Sequence, residues 1–328
     1  MVTAPPPDTV SRFRLDLESV AGGGADRIAL AVSGGPDSLA LLLLAQAAFP
    51  GRLAAATVDH GLRPESRAEA EAVAGLCGEL GVAHSVLTAK VEPAGQGLQS
   101  AARAARYAAL ARWMDDRGLG LLLTAHHCDA QAETLLMRLN RGSGVAGRAG
   151  VRAAGTVPGT GGRIRLGRPL LGWRRSELGA IVDLAGVEAA LDPSNEDDSY
   201  DRVRLRRRLG EAAWLRPEAL ARSAALLAEA EAALEWTADR LFAERAMAGE
   251  EAVILQPGGL PPELLRRLVL RCLRHFDPNA NPRGEKLADF IATLRSGGTA
   301  TLCGVKGRGD DPWRFDAAPP RRTPSSRT

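Results

Sequence analysis

Between two apolar runs stand six residues, Ser33, Gly34, Gly35, Pro36, Asp37 and Ser38, whose types and order suit the binding of an anion. A tight polar turn from a strand into a helix aims unpartnered N–H groups and the positive end of the helix dipole at one point. Gly34 and Gly35 let a ligand approach the backbone, Ser33 and Ser38 add hydroxyl donors, and Pro36 pre-sets φ in the first helical turn. Asp37 is the odd member. A carboxylate beside a phosphate repels it unless a cation stands between them, so Asp37 reads as a ligand for Mg²⁺. The plainer alternative for the same six residues is a Gly-Pro turn with a Ser or Asp helix cap.

The elements that must position this turn are legible around it. Residues 28–32 have the length and β-branched ends of a buried strand, and 39–47 the composition of a buried helix. A second strand ends at Asp59 and His60, a helix follows over 65–80, and a third strand lies within 82–89. A helix over 98–117 precedes a fourth strand running into His126 and His127, and the next helix begins near Asp129, which is placed to cap it. Four alternations of strand and helix with short connections predict an α/β fold, a parallel sheet with helices on both faces. In such sheets ligands bind at the carboxyl ends of the strands, where Ser33–Ser38, Asp59, His60, His126, His127 and Asp129 all fall.

With 45% hydrophobic and 25% charged residues in 328, the chain has ordinary globular composition and room for two domains. The expected organisation is a flexible segment over 1–21, a catalytic domain over 22–215, a connector helix over 216–250, a small α+β domain over 251–317 and a disordered tail over 318–328. Cys77, Cys128, Cys272 and Cys303 form no C-x-x-C pair, against both a disulfide framework and a zinc ribbon. The start of the chain lacks the apolar core of a signal peptide and no stretch has the length of a membrane span, so a cytoplasmic location and no membrane partner are expected. Net charge is +3, but arginine is concentrated in RIRLGR, WRR and DRVRLRRR, patches suited to a phosphate backbone. GSGVAG over 142–147 follows a helix instead of a strand and reads as a glycine-rich loop, and no G-x-x-x-x-G-K-[ST] is present, which excludes a Walker-type NTPase.

The turn SGGPDS resembles the S-G-G-x-D-S turn of the PP-loop ATP pyrophosphatases, whose fold is adenine nucleotide alpha hydrolase-like. VDHGLRPES, LQSAARAARYAAL, TAHHCDAQAETLLMRLNRGSG, RPLL and DPSNEDDSYDRVRLR follow it in an order similar to that of the tRNA(Ile)-lysidine synthetase family. Two positions depart from that family's pattern. Ala130 replaces the second acid of H-H-x-D-D-Q, and Val203 replaces the asparagine of R-N-R-I-R.

The resemblance implies that ATP adenylates the C2 carbonyl oxygen of the wobble cytidine in a CAU anticodon, and that free L-lysine then attacks that carbon to give lysidine. It implies ATP and Mg²⁺ as cofactors and tRNA(Ile) and L-lysine as partners, while a homodimer is one assembly the sequence leaves open. Residues 33–38 with Asp59 and His60 would hold the nucleotide, and the loop over 63–66 would lie near its base or ribose. Arg103 or Arg106, with His126 or His127, would neutralise further phosphate charge. Arg106 is preferred by its match to the family's A-R-x-x-R-Y, while Tyr107 reads as ordinary helix packing. Asp129 and Glu133, at i and i+4 on one helix face, would grip the lysine ammonium and receive its proton. Arg202, Arg204, Arg206 and Arg207 would contact tRNA phosphates. Within the superfamily a thiolase would need sulfur-carrying or cluster-binding cysteines, and a GMP or NAD synthetase a glutaminase. A nucleotide and RNA binder without turnover is the other class, favoured only by Ala130.

Overall fold

Ala29 and Leu30 are neighbours in the chain but are buried in two different cores, as a strand covered on both faces requires. In the computed structural model, which describes residues 2–22, 26–61, 65–91, 98–190 and 201–319, the chain divides into two units, 1–228 and 229–328. The first runs α1 (Pro7–Ala21), β1 (Ile28–Ala31), α2 (Pro36–Ala48), β2 (Leu53–Asp59), α3 (Glu65–Glu79), β3 (Ala83–Thr88), α4 (Leu98–Asp115), β4 (Leu121–Leu123), α5 (Cys128–Asn140) and α6 (Val145–Arg148). It continues through β5 (Ala154–Thr156), β6 (Arg165–Gly167), α7 (Arg175–Ala185) and α8 (Asp201–Glu211) into α9 (Pro217–Arg245).

The strands form one sheet in the order β3-β2-β1-β4-β6-β5. All neighbours are parallel except β5, which is antiparallel to β6. The side chains alternate accordingly. Ile28, Leu30, Ala55, Leu121 and Leu123 pack with α2 on one face, and Ala29, Ala54, Ala56 and Leu122 pack with Tyr107, Leu110, Trp113 and Met114 of α4 on the other. Small strand residues face the large aromatics of α4, so bulk on the helix fills the space that small side chains leave on the sheet. Helix α2, apolar on all sides, is buried over every residue from Ser38 to Ala45.

The expected parallel sheet is present and is extended by two strands of three residues each, β6 parallel to β4 and β5 antiparallel at the edge, both too short to show a period within a glycine- and arginine-rich stretch. One expectation needs correction. The N-terminal segment is a helix. Phe13 and Leu17, one turn apart on α1, are 0% and 3% exposed in the main core, and Trp173 Nε1 donates to Asp16 Oδ2 at 2.7 Å. Pro6 and Pro7 stand at the N-cap and first position of that helix, where a missing N–H costs nothing.

In the second unit β7 (Ala246–Ala248), β8 (Ala252–Leu255), α10 (Pro262–Phe276), α11 (Gly284–Arg295), β9 (Thr299–Leu302), β10 (Val305–Arg308) and β11 (Trp313–Ala317) follow the end of α9. Its sheet, β7-β8-β11-β10-β9, is antiparallel throughout and packs Val253, Leu268, Phe290 and Phe315 in a core of its own. Arg267, 4% exposed, is held by Glu231, Glu235 and Glu263. The division between units falls within α9, between 228 and 229. Of the expected disordered tail, residues 320–328 lie outside the described residues, and Ala318 N–H donates to the Gly304 carbonyl at 2.7 Å.

Candidate active site

Strand order reverses at β1, which pairs with β2 on one side and β4 on the other. The crevice outside the carboxyl ends at such a switch point is where open α/β sheets bind ligands. The loops that follow β1 and β4 carry Ser33–Ser38 and His126–Asp129 to it.

The first of these loops is held from within. Ser38 Oγ accepts from Ser33 N–H at 3.0 Å and donates to the Gly35 carbonyl at 2.9 Å. Gly34 has φ +85°, a conformation only glycine adopts freely, and its carbonyl accepts from Ala190 N–H at 3.0 Å. Gly35 is the N-cap of α2, Pro36 follows at its first position, and no side chain caps the helix. Pro36 has no N–H and Ser38 N–H donates to the Gly35 carbonyl at 3.1 Å, so in the first turn Asp37 N–H remains available to an anion, unlike in the plain capping alternative.

Asp37 Oδ2 lies 3.3 Å from His127 Nε2, while its Oδ1 is buried without a hydrogen-bond partner. An orphaned carboxylate oxygen beside an anion-binding turn fits Mg²⁺, which takes one or two protein carboxylates and completes its shell with phosphate and water. His127 Nδ1 stands 3.4 Å from Ala130 N–H and 3.7 Å from Asp129 Oδ2. The neutral ring caps α5, and the protonated ring bridges Asp37 and Asp129. Burial disfavours the protonated form, but the two carboxylates outweigh it and push the pKa up to about 9, so the bridging form prevails at neutral pH. The N-cap position of α5 is His127, not Asp129, which sits in its first turn.

Burial works against the Asp129 carboxylate, yet hydrogen bonds from His127, Arg174 and Arg175 N–H hold its pKa well below the usual range. Arg175 N–H donates to Asp129 Oδ2 at 2.7 Å and Arg174 Nη2 lies 3.0 Å from Oδ1. Arg174 also pairs with Glu218. Arg174 is a site residue that sequence reasoning missed. Its signal was the WRR cluster, read as a patch suited to a phosphate backbone.

Glu133, with a side chain 3% exposed, is gripped by Arg202 at 2.7 Å and Arg206 at 2.8 Å. Two of the arginines expected to face RNA therefore turn toward the expected lysine-binding acid, Arg204 pairs with Asp201, and Arg207 is exposed on α8. At Ala130 the carbonyl accepts from Arg202 Nη2 at 3.2 Å and Thr134 Oγ1 at 2.7 Å. Asp59 accepts from Ser66 Oγ at 2.6 Å and Gly61 N–H at 2.8 Å, which lowers its pKa. His60 is lowered by burial and by Arg106, which places Arg106 beside the end of β2. Arg63 and residues 191–200 lie outside the described residues. His126, whose Nδ1 is 3.0 Å from Thr124 Oγ1, is pushed down to about 3 by burial and by Arg168, Arg103, Arg106 and Arg202. Adjacent histidines thus carry opposite protonation states, the arrangement expected where acid and base roles are divided.

A family model for the PP-loop domain matches residues 11–213. The chain is 51% identical over 314 residues to the tRNA(Ile)-lysidine synthase of Novosphingobium aromaticivorans, covering 95% of each. It is 46% identical over 297 residues to the tRNA(Ile)-lysidine synthase of Zymomonas mobilis subsp. mobilis, covering 90% of each. Among solved structures the U34-tRNA thiolase NcsA of Methanococcus maripaludis aligns with a TM-score of 0.54 at 16% identity, over 67% of this chain and 79% of that one, a likeness of fold alone. With its PP-loop turn, its switch-point site and relatives of this identity and coverage, the chain belongs to the tRNA(Ile)-lysidine synthase family.

Proposed function

We propose that the protein ligates L-lysine to C2 of the wobble cytidine in the CAU anticodon of tRNA(Ile), using ATP and releasing pyrophosphate and AMP. The observation that carries this reading is the junction of the Ser33–Ser38 turn with the start of α5, where Asp37 Oδ2 meets His127 Nε2 at 3.3 Å. A phosphate-binding turn and an acid-rich helix start converge there, as transfer of a nucleotidyl group followed by an amine requires. The relatives' names supply the substrates.

In the first step the cytidine O2 attacks the α-phosphorus and pyrophosphate leaves. The N–H groups of Gly34, Gly35 and Asp37 receive the developing charge, and Arg106 or Arg103 adds to them. Asp37 Oδ1 would hold Mg²⁺, which supplies charge neutralisation along the phosphates. In the second step the lysine ε-amine attacks C2, and AMP departs with the oxygen. Asp129 and Glu133 receive the ammonium and its proton. Both acids already hold arginines, so lysine arrives by exchange, displacing Arg202 or Arg206 from Glu133 and leaving that guanidinium for a tRNA phosphate.

The test is the first half-reaction. Pyrophosphate release from Mg-ATP is expected to require tRNA(Ile) with CAU and not lysine, and Asp37→Asn should reduce it at least about 100-fold. Release indifferent to tRNA would contradict the reading.

A further inference from the structure

Beside Arg103 and Arg106, one or other of which serves the pyrophosphate, the first unit carries a buried arginine that this reaction leaves unassigned. Arg168 follows β6 and is 7% exposed. Its Nη1 donates to the Arg152 carbonyl at 2.6 Å, while its Nε is buried without a hydrogen-bond partner. Tyr107 of α4, 2% exposed, stands beside the guanidinium, and its hydroxyl is also buried and unpartnered. The guanidiniums of Arg103 and Arg106 lie 5.2 and 5.3 Å from the centre of the same ring. Among the described residues none of these three arginines has a carboxylate partner.

A buried guanidinium without a counter-charge is unfavourable, because its desolvation is not offset. A buried phenol hydroxyl without a partner is unfavourable for the same reason. Two such groups side by side, with two more cations over the ring, describe a site completed by an anion. That anion must offer oxygens to two donors set apart, which a tetrahedral phosphate does and a halide does not. The triphosphate has its own donors in the Ser33–Ser38 turn at the end of β1. Arg168 lies at the end of β6, two strands away in the sheet, or about 10 Å at ordinary strand spacing.

We propose that Arg168 and Tyr107 form a second anion pocket, separate from the nucleotide turn, that holds a backbone phosphodiester of the tRNA beside the cytidine to be modified. The inference rests on the function proposed above. It accounts for two groups that packing leaves unsatisfied, and it gives Tyr107 a role beyond filling the layer under the sheet.

The experiment measures the affinity of the full-length protein for tRNA(Ile) with CAU over a salt series, without lysine, and separately its affinity for Mg-ATP. Tyr107→Phe removes only an unpartnered oxygen, so its thermal midpoint should equal or exceed the wild type's while its tRNA affinity falls about 3- to 10-fold. Arg168→Met should weaken tRNA binding at least about tenfold and flatten the salt slope by about 0.7, the share of one single-strand phosphate. Mg-ATP affinity should be unchanged in both. Unchanged tRNA affinity in Tyr107→Phe and Arg168→Met overturns the pocket. Loss of Mg-ATP affinity with tRNA binding intact overturns it as an RNA site and assigns the phosphate to the nucleotide. If Arg168→Met does not fold, Tyr107→Phe decides alone. Wild-type protein that forms lysidine while both variants bind tRNA normally would remove this inference only, whereas wild-type protein that forms none would remove the function it rests on.

Discussion

His126 and His127 differ by one position and by opposite surroundings. The ring of His127 lies between Asp37 and Asp129, and burial with four guanidiniums surrounds His126. The His127 pKa is raised to about 9 from 6.5, so its ion pairs contribute in full below pH 6.5 and are lost as pH climbs through 9. The shift corresponds to about 3 kcal/mol. The His126 pKa is lowered to about 3, so the unfolded chain takes up a proton that the folded one refuses as pH falls below 6.5. Stability of the ligand-free protein should therefore peak near pH 6.5 on account of this pair. Urea unfolding of His127→Gln should show a flatter alkaline limb, and of His126→Gln a flatter acidic limb; parallel curves for all three proteins would refute the assignment. The residues of this site were legible as types, because SGGPDS and HHCD fall at strand ends. Their partners were not. Arg174 and Arg202 stood in clusters that read as patches for a phosphate backbone, and only the packing of α7 and α8 turns them onto Asp129 and Glu133.

At the scale of elements, the four helix-strand alternations were readable because their strands carry short apolar runs and the helices between them are long and rich in alanine or leucine. Strands β5 and β6 have no such run, and the antiparallel edge they form depends on pairing with β4, which no local pattern encodes. Helix α1 was read as a flexible segment, although Phe13 and Leu17 already stood one turn apart. Phe13 is 0% exposed among side chains that also contact α2. Phe13→Ala should destabilise the first unit by about 3–5 kcal/mol, as truncation of a buried aromatic does. Urea unfolding checks this, and a change near zero would mean that the segment does not hold the core as described.

Over the whole molecule, the two units have separate hydrophobic cores. Phe315 is 0% exposed in the second, and Phe315→Ala should cost that unit about 3–5 kcal/mol while leaving the affinity for Mg-ATP, bound by residues of the first, unchanged by calorimetry. The most direct measurement of the central claim is transfer of radiolabelled lysine to tRNA. Purified protein with Mg-ATP should place acid-insoluble label on tRNA(Ile) bearing CAU and none on methionine tRNA with the same anticodon, and should fail without ATP. Label on neither tRNA, with a lysidine-forming enzyme active in parallel, would contradict the account.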